Sequence, residues 1–278
     1  MLSDYAVHPS LATSDVGKAR DWHAQRLGLE PFLVFPSLLA YQVEQTIFTV
    51  FETPAAGTAK NTVAVWRVPD LLAEVARLRA RGVAFEDLEL GSDNRTIDGI
   101  STTTDPFGGV VRNAWFRDGD GNWISMVEQP DHPGDTNPAE MGVGLALAVA
   151  ELARARRWYA EKLGLEPLHV LAGELVYRQG ATRFTMFETP SAGTAKNTVG
   201  VWRVDDLRAE VEALRSRGVA FADYQIGDTS TVDAIYTDPH DGSLAAWFVD
   251  SEGNTLGLAE DRGERIRPRY GSRPTGPH

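Results

Sequence analysis

Two hydrophobic periods alternate along this chain. Val7 to Thr13 reads with the two-residue period of a half-buried strand, and Asp15 to Leu27 follows with helical spacing, opened by Ser14 and Asp15 and closed by Gly28. Two or three short strands run on to Thr53. After the segment GTAKNT (57–62) the pattern restarts, with a strand over Thr62 to Val68, a helix over Asp70 to Arg81 closed by Gly82, and strands near Val83, Val111 and Trp123. Strand, helix and three further strands therefore occur twice before residue 130.

The whole arrangement then recurs. Residues 48–68 read FTVFETPAAGTAKNTVAVWRV and residues 184–204 read FTMFETPSAGTAKNTVGVWRV, and Glu52 to Glu188, Trp66 to Trp202 and Gly82 to Gly218 keep one offset of 136 positions. By Trp115 and Trp247 the offset is 132, which makes the second copy four residues shorter after its second helix. A repeat of this length marks tandem domains. The chain is expected to be of the α+β class, with four βαβββ modules whose helices cover one face of each curled sheet and leave the other face free as a cup. Gln129 to Met141, with three prolines and no periodicity, reads as a connection. The expected division is a first domain over 1–130, a linker over 131–141, a second domain over 142–261 and a disordered tail over 262–278.

Composition narrows the function classes. No apolar run reaches the roughly 18 residues of a membrane span, and no basic-then-apolar leader is legible, so a cytoplasmic location without membrane partners is expected. Cysteine is absent, which removes disulfides, thiolate metal sites and cysteine nucleophiles. A net charge of −12 argues against nucleic acid and, at long range, favours a cationic small molecule. The arginines of the tail, Arg262 to Arg273, sit among Gly and Pro and read as solvated. There is no phosphate-binding glycine loop, no Ser/His/Asp order and no paired-His motif. The Asp105-Pro106 and Asp238-Pro239 turns, with His240 beside the second, are ordinary turn chemistry, and the SDNRT segment at 92–96 is a loop.

The segments SDVGKARDWHAQRLGLEP, VWRVPDLLAEVARLRARGV and WFRDGDGNW, with their counterparts AELARARRWYAEKLGLEP, VWRVDDLRAEVEALRSRGV and WFVDSEGNT, resemble the vicinal oxygen chelate superfamily. That superfamily includes glyoxalase I, bleomycin-resistance proteins, fosfomycin-resistance enzymes and extradiol dioxygenases. The resemblance implies cups of eight strands and, in metal-dependent members, ligands on the first, fourth, fifth and eighth strands. Carried onto this chain, the first-strand position is His8 in one half and Gly144 in the other. The fifth-strand positions are Val63 and Val199, and the last-strand positions are Ser125 and Gly257. At the fourth strand, Glu52 and Glu188 lie near, while Thr49 and Thr185 fit the register better. A catalytic divalent ion needs about three protein ligands, so no metal and no other cofactor is expected.

The remaining candidates follow from strand alternation. Gly144, Ala146 and Ala148 form a small apolar wall expected opposite Gly257 and Ala259, and His8, Ser10, Trp123 and Ser125 form a more polar wall in the first half. Trp22, Trp158, Trp66 and Trp202 are expected in the core, whereas Trp115 and Trp247 lie where they can stack a planar ligand. Arg67 and Arg203 share the face of the missing fifth-strand ligand and either meet an anionic or enolate-like group or pair with a neighbouring carboxylate.

Two functions are consistent with this lining. One is metal-independent binding of an aromatic or polycyclic small molecule, as in antibiotic sequestration and self-resistance. The other is a metal-free isomerase, cyclase or dehydratase of secondary metabolism, with His8 moving a proton near neutral pH and Arg67 or Arg203 stabilising negative charge. A metal-dependent glyoxalase or dioxygenase fits less well. The halves are expected to close on each other within one chain as a pseudo-dimer, or to pair with a second copy.

Overall fold

The computed structural model describes residues 2–90, 94–104, 108–129, 142–171, 173–179, 182–226 and 228–262. The linker over 131–141, the Asp105-Pro106 turn, Ser92 and Asp93 of the SDNRT loop, and all of the tail after Arg262 lie outside the described residues.

Four modules succeed one another. The first holds β1 (Val7–Thr13), α1 (Val16–Trp22), β2 (Leu33–Phe35), β3 (Leu38–Val43) and β4 (Thr46–Glu52). The second holds β5 (Thr62–Arg67), α2 (Leu71–Ala80), β6 (Ile100–Thr104), β7 (Val110–Arg117) and β8 (Trp123–Glu128). The third repeats the first as β9 (Gly142–Val149), α3 (Leu152–Trp158), β10 (His169–Leu171), β11 (Glu174–Gln179) and β12 (Thr182–Glu188). The fourth comprises β13 (Thr198–Arg203), α4 (Leu207–Ser216), a small hairpin β14 (Gln225–Ile226) and β15 (Thr229–Ser230), then β16 (Tyr236–Thr237), β17 (Leu244–Val249) and β18 (Thr255–Glu260).

The helix boundaries follow from capping. Asp15, Asp70 and Asp206 accept hydrogen bonds from the backbone N–H groups of Lys18 (3.0 Å), Ala73 (2.9 Å) and Ala209 (3.0 Å), satisfying donors the first turn leaves orphaned. α1 and α3 each continue as a π-helical turn, His23–Leu27 and Tyr159–Leu163, and stop at Gly28 and Gly164, whose φ angles of 74° and 71° suit glycine. The strand expected near Val83 is reduced to an isolated bridge from Phe85 to Phe116, and the strand at that place in the order forms instead at β6.

The modules pair across the halves. One eight-stranded sheet, sheet I, runs β16-β17-β18-β13-β1-β4-β3-β2, and the other, sheet II, runs β10-β11-β12-β9-β5-β8-β7-β6. Sheet I thus joins the first and fourth modules, and sheet II the second and third. The joins are antiparallel: His8 lies opposite Val201, and Gly144 lies opposite Val65. A division at 131–141 describes the duplication, while each cup takes strands from both halves. The expected polar wall of His8, Ser10, Trp123 and Ser125 is therefore corrected, because β1 and β8 stand in different sheets. Likewise Gly144 and Ala146 face Trp123 and Ser125 of β8, not Gly257 and Ala259 of β18.

The helix-facing sides share one core. Trp202 is wholly buried, Trp66 nearly so, and Trp22 and Trp158 pack against the cluster. Ring stacks repeat in each copy, with Tyr41 on Phe48 (4.9 Å between centroids) and Tyr177 on Phe184 (4.6 Å). Gly200 is set by the close approach of the sheets, since a Cβ there would stand 2.4 Å from Leu145 Cδ2.

The identical GTAKNT loops meet each other. Lys60 N–H donates to Thr194 Oγ1 (3.2 Å), Lys196 N–H donates to Thr58 Oγ1 (3.0 Å), and Thr194 Oγ1 also donates to Asn61 Oδ1 (3.2 Å). This is a self-complementary contact about a pseudo-twofold axis, and it gives the sequence identity of the two loops a structural reason. If the halves are held by these joins, cutting the chain within 131–141 with an engineered protease site should leave two fragments that co-elute as one species on size exclusion and separate only in denaturant. Fragments that separate without denaturant would contradict the crossed pairing.

Candidate functional site

The concave face of sheet II encloses a cavity of about 1030 Å³. Its lining follows from alternation. Val65 and Arg67 on β5, Trp123, Ser125 and Val127 on β8, and Asn113 and Trp115 on β7 point into it, as do Gly144 and Ala146 on β9 and Arg183 and Thr185 on β12. His169 of β10 and Glu174 of β11 close the far side. The guanidinium of Arg117 lies over the Trp123 ring, 4.5 Å from its centroid, which holds the indole in place. With the Gln129 amide oxygen facing it, Arg67 donates to that oxygen from Nη1 (2.9 Å) and Nη2 (3.2 Å). Burial raises the pKa of Glu174, partly opposed by the nearby Arg67.

The concave face of sheet I differs. Leu33, Ala40 and Ile47 form a second apolar cluster there, with Phe32, Phe35 and Leu38 packed against it. Trp247 lies beside Gly257, where a Cβ would stand 3.4 Å from the indole, and makes an edge contact with Tyr224 (5.6 Å between centroids). His8 and Ser10 are buried in this face, and Ser10 Oγ is 3.1 Å from Thr49 Oγ1. Arg203 pairs with Asp261. Burial first, and then the positive charge of Arg203, lower the His8 pKa to about 4, so its imidazole is neutral at pH 7 and does not titrate near neutrality as expected.

The sequence candidates thus divide into two groups. Arg67, Trp115, Trp123, Ser125, Gly144 and Ala146 line the sheet II cavity. His8, Ser10, Arg203, Trp247 and Gly257 belong to sheet I. His8 and Arg203 are brought together, whereas His8 and Arg67 are not.

Sequence reasoning missed His169, Glu174, Arg183, Asn113 and Gln129. A signal was available in the internal repeat. At the offset of 136, His169, Glu174 and Arg183 stand where the first half has Leu33, Leu38 and Ile47, so three apolar positions of one copy are polar in the other.

The metal-ligand positions of the fold do not fit an ion. Strand β5 is bulged between Thr62 and Ala64, and β13 between Thr198 and Gly200, so Val63 and Val199 fall into the core. Thr62, not Val63, lines the sheet II cavity. The carboxylates of Glu52 and Glu188 accept from the N–H groups of Val16 (3.5 Å) and Leu152 (3.4 Å) at the starts of α1 and α3. Among the described residues no three His, Asp or Glu side chains converge to hold a metal ion. Gly144 is also constrained, because a Cβ there would stand 2.7 Å from the Arg183 carbonyl oxygen.

Residues 143–246 match the sequence model of the Glyoxalase/Bleomycin resistance protein/Dioxygenase superfamily. The first half repeats that unit in sequence, and the four modules build two curled eight-stranded sheets, an architecture consistent with a tandem fold of this superfamily. Among solved structures, glyoxalase I from Zea mays is 14% identical over 92% of this chain and 93% of its own, with a TM-score of 0.60. A Bacillus subtilis protein provisionally assigned as a dioxygenase is 18% identical over 91% of this chain and 84% of its own, with a TM-score of 0.56. At such identities the likeness shows the fold alone. Comparison with curated proteins gives no match at significant similarity. No helix among the described residues is long and apolar enough to cross a membrane.

Two predictions follow from the geometry. Gly144→Ala should destabilise the fold by about 1–3 kcal/mol in urea unfolding, as overpacking does. A His8→Asn variant reports the buried imidazole. The unfolded His binds its proton near pH 6.5 and the folded one near 4, so the unfolded state holds more protons between these values and stability falls as pH drops through that window. From pH 7.5 to 5 the wild type should lose about 2 kcal/mol relative to the variant, and parallel profiles would refute this.

Proposed function

We propose that the chain binds an aromatic or polycyclic small molecule in the sheet II cup without a metal ion. The observation that supports this reading best is the cavity itself: about 1030 Å³, with two tryptophans and a few converging polar groups. Ligand sites are typically concave, apolar and of this order of size. Sheet I, its face covered by its own apolar cluster and by Trp247, serves chiefly as scaffold. Sequestration of an antibiotic, as in self-resistance, is the biological form of such binding, since affinity alone suffices for it.

A metal-free isomerase, cyclase or dehydratase is the second reading, favoured by Glu174, whose carboxyl is biased by burial toward its protonated form beside Arg67. A proton-transfer group with raised pKa next to a cation can serve enolate chemistry. His8 has Arg203, not Arg67, as its partner in any such role.

Native mass spectrometry of protein purified from its own cells tests the binding reading. An organic mass retained by the wild type and lost in Trp123→Ala is the expected result. Removing one stacking ring should weaken binding about tenfold, through lost apolar contact as well as stacking. A stoichiometric divalent ion would overturn the metal-free assignment, and conversion of the retained compound on incubation would favour the enzyme.

A further inference from the structure

The two concave faces come from one repeated unit, and each carries a tryptophan on the strand before its last, Trp115 on β7 and Trp247 on β17. In sheet I the protein itself packs rings against the indole. Tyr224 meets Trp247 edge-on with 5.6 Å between centroids, and Tyr236 lies tilted at 6.4 Å. The cross-strand neighbour of Trp247 is Gly257. A phenol-sized ring against this indole is thus part of how the unit packs in that copy.

Sheet II has neither tyrosine. The backbone N–H groups of Leu88 and Tyr224 donate to the hydroxyls of Thr96 (2.6 Å) and Thr231 (3.0 Å), which makes Leu88 the counterpart of Tyr224. The matching bridges Ile97 to Ile100 and Val232 to Ile235 make the next residues, Ser101 and Tyr236, counterparts as well. Ser101 Oγ is turned to Asn94 Oδ1 (2.8 Å). Leu88 and Trp115 both line the cavity, and Trp115 has no ring partner among the described residues.

Polar groups surround the same indole instead. Ser125 stands across from Trp115, where Gly257 stands across from Trp247. Asn113 lies two positions along β7, hence on the same face and about 7 Å away, where sheet I has Ala245. Both side chains line the cavity, and among the described residues no hydrogen bond engages the Asn113 amide or the Ser125 hydroxyl. The strand pairing does not require them, since β17 and β18 keep the same register with Ala245 and Gly257.

We infer that the ligand of this cup is an aryl compound bearing a carboxamide or lactam, its ring against Trp115 in the place that tyrosine rings hold beside Trp247, and its amide edge paired with Asn113. An asparagine side chain presents a donor and an acceptor side by side in one plane, so a second amide satisfies both at once, and the Ser125 hydroxyl can donate or accept at the remaining edge. A site built to hydrogen-bond a ligand discriminates against analogues without the group, because its own polar atoms then stay unpaired. This inference rests on the proposed binding function and specifies its ligand class.

Three uncharged probes of one ring system and similar shape test it: 2-naphthamide, with donor and acceptor, 2-acetylnaphthalene, with the acceptor alone, and 2-ethylnaphthalene, with neither. Each is measured by calorimetry and equilibrium dialysis. The amide should bind at least tenfold more tightly than the hydrocarbon, with the ketone between them. Asn113→Ala should bring the amide to within about threefold of the hydrocarbon. Leu88→Tyr, which returns a tyrosine to the indole, should weaken all three probes at least tenfold. Both substitutions install the residue that the other copy carries at that place, and urea unfolding checks that the fold is kept. Equal binding of amide and hydrocarbon, an amide advantage that survives Asn113→Ala, or binding indifferent to Leu88→Tyr would overturn the inference and leave the binding reading standing. Absence of binding by every probe would remove the binding reading and this inference with it.

Discussion

The antiparallel pairing of β1 with β13 and of β5 with β9 is the constraint on which the rest of the molecule depends. Each join lies at the centre of an eight-stranded sheet and ties one half of the chain to the other. Interior strand pairing fixes side-chain direction residue by residue, and a slip of one position would invert every cup-facing side chain. The Thr46 Oγ1 bond to Val143 N–H (2.7 Å), mirrored by Thr182 Oγ1 and Val7 N–H (3.2 Å), runs from one sheet to the other and, with the reciprocal GTAKNT contact, holds the two halves in the same relation.

Upon this shared frame the two concave faces diverge. Sheet I keeps an apolar cluster, a tryptophan beside a glycine and an arginine neutralised in place. Sheet II keeps open volume and carries histidine, carboxylate and guanidinium groups at positions that are apolar in its sister. The helix-facing core hardly differs between the copies, as the matched stacks of Tyr41 on Phe48 and Tyr177 on Phe184 show. Divergence is thus concentrated where packing does not forbid it.

Much of this was legible in the sequence. Asp15, Asp70 and Asp206 mark helix starts with a local mechanism, and the repeat fixes four modules without reference to tertiary structure. Of the six candidates that line the sheet II cavity, Gly144 and Ser125 come from positions the resemblance implies, and period-two alternation from those positions adds their neighbours such as Ala146 and Trp123. What alternation cannot supply is which strand edge meets which, because β1 presents the same pattern whether its neighbour is β5 or β13. The grouping of His8 with Trp123 failed for that reason. Bulges are equally silent: Val63 and Val199 keep an unbroken apolar pattern while the inserted residue turns them into the core. The protonation of His8 depends on Arg203, some 195 positions away, and on complete burial, neither of which a local reading contains.

The crossed pairing also has a consequence for how such a chain can change. Were the two halves separate identical subunits, symmetry would force both cups to have the same lining, and every substitution would appear in each. Joined in one polypeptide, the copies can break that symmetry: Ile47 stands in one cup where Arg183 stands in the other. The join also makes the difference between the two linings irreversible by simple loss. A chain reduced to its first half could rebuild a closed sheet only by pairing with its own copy, and that pairing would set His8 and Ser10 against Trp123 and Ser125, a combination present in neither cup of the intact molecule.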